Sequence, residues 1–192
     1  KALGVGTNDA VRIAGAEDID IFNTQSGGVN VVSTNNISTT VDIISGDVPA
    51  DTGTGDIRFI QENLDGTLLV NNMTTVDGEI TVIADDDTVT NTVLSGGPDG
   101  DIRFTITDGD LTVNTNGIDA GGTGVSSGEI LLKTIGDAEA VEVNALVVTD
   151  DGPITIDAAG DVHLEAPLLV ESGDEAITVL AGDDIRANSD IT

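Results

Sequence analysis

The sequence predicts an all-β fold, a parallel β-helix (β-solenoid) of about eight coils. Three observations indicate it: short runs of alternating apolar and polar residues, turn residues between these runs, and an internal repeat near 44 residues. Many short strands are also typical of sandwiches, so tandem β-sandwich repeats are the alternative fold. We interpret residues 1–192 as a single repetitive segment.

The strand prediction rests on the spacing of the apolar residues. In residues 78–83 (Gly-Glu-Ile-Thr-Val-Ile) the side chains are mainly β-branched, and residues 128–132 (Gly-Glu-Ile-Leu-Leu) begin in the same way. Such runs are typical of strands, and the Gly, Asp and Asn residues between them are typical of turns. Because no segment has apolar residues spaced at three and four, we expect almost no helix.

Two markers repeat along the chain. The first, Asp-Ile-Arg, occurs at residues 56–58, 101–103 and 184–186; with weaker matches it centres the repeats near residues 12, 58, 103, 142 and 186. The second, an Asp-Gly pair before an apolar run, places glycines at 66, 109 and 152, at steps of 43 residues. If one coil takes roughly 20–25 residues, each period corresponds to two coils.

The core is predicted to be thin and aliphatic. Phe22, Phe59 and Phe104 are the only aromatic residues, which argues against a broad globular core. In a solenoid each strand pairs with the same strand one coil away, so equivalent inward side chains stack in rows.

Composition excludes several classes of partner and chemistry. A net charge of −29 repels nucleic acid and anionic membranes, and no run reaches eighteen apolar residues, so we expect neither nucleic-acid binding nor membrane insertion. The absence of cysteine excludes disulfides and thiol catalysis. The chain begins at Lys1 rather than Met, which indicates a processed product or a fragment.

Four arginines occupy similar sequence positions, each directly after Val or Ile. Alternation points them outward, and we expect them to share one face and to pair with carboxylates of adjacent coils, with Glu142 interrupting the row. They are Arg12, Arg58, Arg103 and Arg186.

The single histidine, His163, is interpreted as a surface group. Alternation places it outward beside Asp161 and Glu165. One histidine without cysteine or a clear nucleophile is not a catalytic site, and the chain offers almost no aromatic or basic groups to hold a sugar. We therefore predict that the protein is not an enzyme and has no catalytic residues.

Two segments resemble the degenerate repeats of filamentous-haemagglutinin-like giant bacterial surface proteins. They are residues 100–113 (Gly-Asp-Ile-Arg-Phe-Thr-Ile-Thr-Asp-Gly-Asp-Leu-Thr-Val) and 127–132 (Ser-Gly-Glu-Ile-Leu-Leu). The resemblance extends over nearly the whole chain. It implies a right-handed parallel β-helix, export from a bacterium and a role in adhesion or in building fibres. The chain departs from these repeats in its acidity and in its longer, irregular period.

Acidic turns are the candidate metal site, because calcium prefers hard oxygen ligands clustered on loops. Residues 96–101 (Gly-Gly-Pro-Asp-Gly-Asp) match the calcium nonapeptide only weakly, and no EF-hand spacing is present, so calcium would bind between stacked turns. No other cofactor is expected. The candidate ligands are Asp85, Asp86, Asp87, Asp99, Asp101, Asp150, Asp151, Asp183 and Asp184.

The leading functional hypothesis is a structural protein of an extracellular filament, sheath or adhesin stalk. Neither end of the sequence shows a cap, so we expect end-to-end stacking of coils, with copies of this chain or neighbouring repeats of the same polypeptide as partners. The alternative is a calcium-dependent adhesin module at the cell surface that recognises a surface or glycan ligand. Its candidate pocket is the Gly-rich insertion at residues 117–127.

Overall fold

The computed structural model describes residues 11–14, 16–23, 28–34, 37–45, 55–62, 66–97, 100–121, 128–172 and 174–192. Every regular element in these ranges is a β-strand, and every strand pair is parallel. The predicted β-solenoid is therefore confirmed. The β-sandwich alternative is excluded, because its sheets are built from antiparallel strands.

The strands are short and alternate between buried and partly exposed residues, as in Ile80–Ala84, because each has one face in the core. They are β1 Val11–Ile13, β2 Asp18–Asn23, β3 Val29–Ser33, β4 Thr39–Ser45, β5 Ile57–Gln61, β6 Leu68–Thr75, β7 Ile80–Ala84, β8 Thr88–Ser95, β9 Ile102–Ile106, β10 Leu111–Ala120, β11 Ile130–Thr134, β12 Val141–Val143, β13 Val147–Thr149, β14 Ile154–Ala158, β15 Val162–Leu164, β16 Leu168–Val170, β17 Ile177–Ala181 and β18 Ile185–Ala187.

Two sheets run the length of the solenoid. Sheet A has eight strands in the order β1-β3-β5-β7-β9-β11-β14-β17. Sheet B has the order β2-β4-β6-β8-β10-β12-β15-β18, and β13 and β16 extend it beside β10. Each coil contributes one strand to sheet A, so the eight strands correspond to the expected eight coils.

The core consists of stacked rows, as the repeat predicted. One row on the inner face of sheet A is almost entirely isoleucine, and its members pair in register from coil to coil. The five isoleucines from β5 to β14 are at most 1% exposed, since each is covered by a coil on both sides. The row comprises Val29, Ile57, Ile80, Ile102, Ile130, Ile154 and Ile177.

The repeated glycine before the acidic residue is required by close backbone approach between coils. A Cβ on Gly78 would lie 2.8 Å from the backbone nitrogen of Asp56, and one on Gly128 would lie 2.7 Å from the carbonyl oxygen of Gly100. Side chains at these positions would push successive turns apart. The motif Gly-(Asp/Glu)-Ile therefore marks the stacked turn that enters sheet A.

The coils vary in length, which corrects the prediction that the four arginines share one face. Arg12, Arg58 and Arg103 lie in sheet A, but Arg186 and Glu142 lie in sheet B. The step is 22 residues between the paired positions 80 and 102 but 28 residues between 102 and 130. Positions spaced by a fixed period of 44 residues therefore lie in sheet A up to β9 and in sheet B after it.

The longest strand, β10, explains part of this irregularity. Its pairing with β8 shifts register between Val113 and Gly117, and it pairs with both β12 and β13 of the next coil. Gly117 has φ +79°, and a Cβ there would collide with the carbonyl oxygen of Leu146. Thr115 also has positive φ, at 59°, so this corner holds a local backbone irregularity.

Candidate functional site: acidic turns and the final described coil

The turn residues that enter sheet A form a column, which we call the sheet-A entry column. Its members Asp56, Glu79, Asp101 and Glu129 directly precede β5, β7, β9 and β11. The backbone N–H of Glu79 donates to Oδ1 of Asp56 at 3.0 Å, and that of Glu129 donates to Oδ1 of Asp101 at 2.9 Å. Each aspartate therefore satisfies a backbone donor of the next coil.

Arg103 bridges three of the four carboxylates in this column. Its Nη1 lies 2.8 Å from Oε1 of Glu79, and its Nη2 lies 2.7 Å from Oδ2 of Asp101 and 3.4 Å from Oε2 of Glu129. These partners belong to three successive coils. Burial alone would lower the pKa of Arg103, but the Glu79 hydrogen bond and the carboxylates raise it above its ordinary value. The predicted pairing with adjacent coils is confirmed for Arg103.

A second column enters sheet B, which we call the sheet-B entry column. It comprises Asp87, Asp110, Ala140, Asp161 and Asp184, which directly precede β8, β10, β12, β15 and β18. Asp87 Oδ1 accepts the N–H of Asp110 at 3.0 Å, Asp110 Oδ1 accepts that of Ala140 at 2.7 Å, and Asp161 Oδ1 accepts that of Asp184 at 3.0 Å. The repeated aspartate is therefore a structural cap in this column too.

Like charges accumulate around the middle of the sheet-B entry column. Desolvation, followed by the charges of Asp110, Asp108 and Asp87, raises the pKa of Glu139. Within the described residues, none of these four carboxylates has an ion pair with Lys or Arg. This group lacks a described cation like Arg103, which bridges the sheet-A entry column.

A third acidic stack lies at the end of β10. Burial raises the pKa of Asp119, and the carboxylates of Asp150 and Glu171 raise it further, while the N–H of Gly121 opposes the shift. Asp150 and Glu171 directly follow β13 and β16, which stack on this part of β10. Acidic side chains therefore also repeat along this edge.

The structure distributes the predicted calcium ligands over separate turns. Residues 85–87 join β7 to β8, 150–151 follow β13, and 183–184 join β17 to β18, while Asp101 belongs to the sheet-A entry column. Asp85 accepts a hydrogen bond from the Thr107 hydroxyl at 2.6 Å. In the described ranges, no three His, Cys, Asp or Glu side chains form a metal-binding group. Asp99 lies outside these ranges, and calcium binding stays a prediction.

His163 lies on the outer face of sheet B, as alternation predicted. Its Nε2 is 3.6 Å from Oδ2 of Asp161, and its Nδ1 is 3.8 Å from Oε1 of Glu142 in the preceding coil. Glu165 instead accepts a hydrogen bond from Asn188 at 2.8 Å. Sequence reasoning missed the contact between His163 and Glu142. Only the register of sheet B brings these residues together, and the fixed period of 44 residues assigned that register incorrectly.

The final described coil presents apolar side chains that are buried in the preceding coils. Ile154 and Ile156 of β14 are 0% exposed, whereas their register partners Ile177 and Val179 of β17 are half-buried. In sheet B, Ile185 is 53% exposed, although its partner Val162 is 0% exposed. The rows of apolar residues therefore continue into the final described coil. Its open face is the side that no further described coil covers.

No pocket is assigned to the predicted insertion at residues 117–127, because residues 122–127 lie outside the described ranges. A shallow, open depression occurs instead on the outside of sheet B, lined by residues that include Glu17, Ile37 and Leu69. No helix in the described part of the chain is long and apolar enough to cross a membrane.

No protein family, curated protein or solved structure matches the chain. The resemblance to filamentous-haemagglutinin-like repeats therefore stays a prediction.

Proposed function

We propose that this chain is a non-catalytic structural protein of an extracellular filament, sheath or adhesin stalk. Its coils stack end to end, with further copies of the chain or neighbouring repeats of one polypeptide. The observation that carries the proposal is the open face of β17 and β18, where the core rows and the strand edge continue unpaired among the described residues.

Backbone chemistry supports stacking at this face. In sheet A the N–H of the first strand residue donates to a carbonyl one coil ahead: Ile102 donates to Glu129 at 2.8 Å, and Ile154 donates to Ala176 at 3.2 Å. Val162 donates to Asp184 in the same way in sheet B, at 2.9 Å. An added coil would accept the corresponding bonds from Ile177 and Ile185. Open strand edges of this kind template further pairing.

Side-chain chemistry supports it as well. Val179 and Ile177 would be covered by a further coil, as Ile156 and Ile154 are covered by β17. Burial of such side chains stabilises an interface by about 25 cal/mol per Å² of apolar surface removed from water. A contact between opposite ends of two copies is heterologous and does not close on itself, so repetition gives a filament.

The test is negative-stain electron microscopy of the purified chain near 0.15 M salt, where the net charge is screened beyond about 8 Å. We expect long fibres for the unaltered chain and short rods for Val179→Asp, which introduces a charge into the stacking row. The matched control is Thr178→Asp, because Thr178 is the outward neighbour in the same strand. Circular dichroism would show that both variants keep their strands.

Short rods for the unaltered chain in every condition, or equal fibre length for Val179→Asp, would overturn end-to-end assembly of separate copies and leave neighbouring repeats of one polypeptide as the stacking partners. Repeating the imaging with calcium and after chelation tests the predicted calcium dependence separately. Fibres that survive chelation unchanged would exclude a metal role for the acidic turns in assembly.

A further inference from the structure

The corner of β10 contains the one Asn-Gly dipeptide of the chain, Asn116-Gly117. It lies where the register of β10 shifts. The strand β8 pairs with residues 111–113 and 117–119, whereas β12 and β13 pair with residues 111–113 and 118–120. Among the described strand pairs, residues 114–116 therefore have no ladder partner in either adjacent coil. The backbone at this corner is less constrained than the paired segments on either side of it.

The side chain of Asn116 is accessible at this corner. It is exposed, and its amide nitrogen donates to Oγ1 of Thr92 in the preceding coil at 2.9 Å. This hydrogen bond lies on the surface, where water competes for both groups, so it restrains the side chain only weakly. Only Cβ, Cα and the main-chain carbonyl carbon separate Cγ of Asn116 from the peptide nitrogen of Gly117. The two atoms can therefore close a five-membered ring.

The fold requires the glycine that makes this asparagine reactive. Gly117 has φ +79°, and a Cβ there would collide with the carbonyl oxygen of Leu146 in the next coil. Residues with a side chain rarely adopt this conformation, so the corner needs glycine. Glycine also leaves its peptide nitrogen unshielded, because it has no Cβ to hinder the attack on Asn116.

We propose that Asn116 is a site of spontaneous deamidation in the folded protein. The peptide nitrogen of Gly117 forms a bond to Cγ of Asn116 and loses its proton, and the side-chain nitrogen leaves as ammonia. Water then opens the cyclic imide at either carbonyl carbon, which gives aspartate or isoaspartate at position 116. This reaction does not depend on the proposed filament assembly.

Deamidation changes the corner in two ways. The product carries a negative charge and no longer donates an amide hydrogen to Thr92. Isoaspartate also lengthens the main chain by one carbon atom, at the point where β10 already shifts register. The extra atom lies between the segments that pair with β12 and β13, so we expect the modified chain to keep its strands.

The test is peptide mapping by mass spectrometry after storage of the full-length folded chain in mildly alkaline buffer, which favours loss of the peptide proton. Asn144 is the internal control. It is exposed, and its amide donates to Oδ1 of Asn114 in the preceding coil at 3.2 Å, but Ala145 follows it. We expect conversion to be about tenfold faster at Asn116 than at Asn144, which corresponds to a barrier lower by about 1.4 kcal/mol.

The variant Asn116→Gln locates the reaction. Cleavage after Arg103 and Lys133 releases residues 104–133, and the modified form of this peptide should be lost in the variant, because glutamine closes a larger ring more slowly. A modified form that persists in Asn116→Gln would assign the reaction to Asn114 and contradict the proposal.

Two further results would exclude deamidation at this corner. Equal conversion at Asn116 and Asn144 would show that Gly117 gives no selectivity. Conversion of Asn116 in the urea-unfolded chain but not in the folded chain would show that the fold protects it.

Discussion

The two entry columns have similar acidic sequences but differ in whether a cation bridges their carboxylates. In the sheet-A entry column, Arg103 bridges carboxylates of three coils at 2.7–3.4 Å. In the sheet-B entry column, desolvation and then the neighbouring carboxylates raise the pKa of Glu139, and none of these carboxylates has a described Lys or Arg partner. Both columns use aspartate to accept a backbone N–H from the next coil. The backbone cap is therefore the shared function of the repeated aspartate, and charge balance is specific to each column.

The comparison shows how a chain of net charge −29 keeps a stacked fold. Buried rows of aliphatic side chains supply the attraction, and hydrogen bonds to aspartate satisfy the turn backbone. Repulsion is concentrated where it can be screened by salt, in exposed turns. Arg103 reduces the repulsion between carboxylates in the middle of the solenoid.

The largest effect is expected from removal of the bridging arginine. Arg103→Ala leaves Glu79, Asp101 and Glu129 together without a cation, and the free energy of unfolding should fall by about 1–2 kcal/mol, since the pairs are partly solvent-exposed. Arg58→Ala is the control, because Arg58 has no described ion pair. Urea denaturation of both variants measures the difference. Equal stabilities would show that the bridge contributes nothing.

Two Asp→Asn substitutions, one in each column, should have smaller effects on stability, and the two effects should have opposite signs. Asp101→Asn keeps an acceptor for the N–H of Glu129 but loses the charge that pairs with Arg103, so we expect a loss of about 0.5–1 kcal/mol. Asp110→Asn keeps an acceptor for the N–H of Ala140 and relieves repulsion, so it should be neutral or slightly stabilising. Thermal unfolding at low salt tests the pair. The same sign for both substitutions would contradict the comparison.

The smallest effect concerns pH. Because the pKa of Glu139 is raised in the folded state, the folded protein binds this proton more tightly than the unfolded chain. The group therefore costs stability above its folded pKa, and the cost disappears as pH falls below the ordinary glutamate value near 4.3. Glu139→Gln should raise the thermal midpoint slightly at pH 7, and the difference should vanish near pH 4.

The control for this pH series is Glu175→Gln, an exposed glutamate outside the column. It should shift the midpoint less than Glu139→Gln at every pH. A Glu139→Gln variant that is less stable than the parent at pH 7 would show that Glu139 contributes a contact rather than repulsion.

Much of the architecture could be predicted from the sequence, because the alternation in Ile80–Ala84 and the Gly-(Asp/Glu)-Ile turn are local signals. The register of the strands could not be predicted, because the length of each coil depends on irregular corners such as the one at Gly117. A mean period does not show these local differences. Arg186 and Glu142 were consequently assigned to the wrong face. The partners of Arg103 were predictable as a class, but Glu79 and Glu129 became specific only through pairing across coils.

The most direct test of end-to-end assembly is X-ray diffraction from aligned fibres of the unaltered chain. Stacking of coils along the fibre places the strands perpendicular to its axis, so the account predicts a reflection near 4.8 Å on the meridian. The same reflection on the equator would mean that the rods lie across the fibre, and it would contradict assembly through the face of β17 and β18.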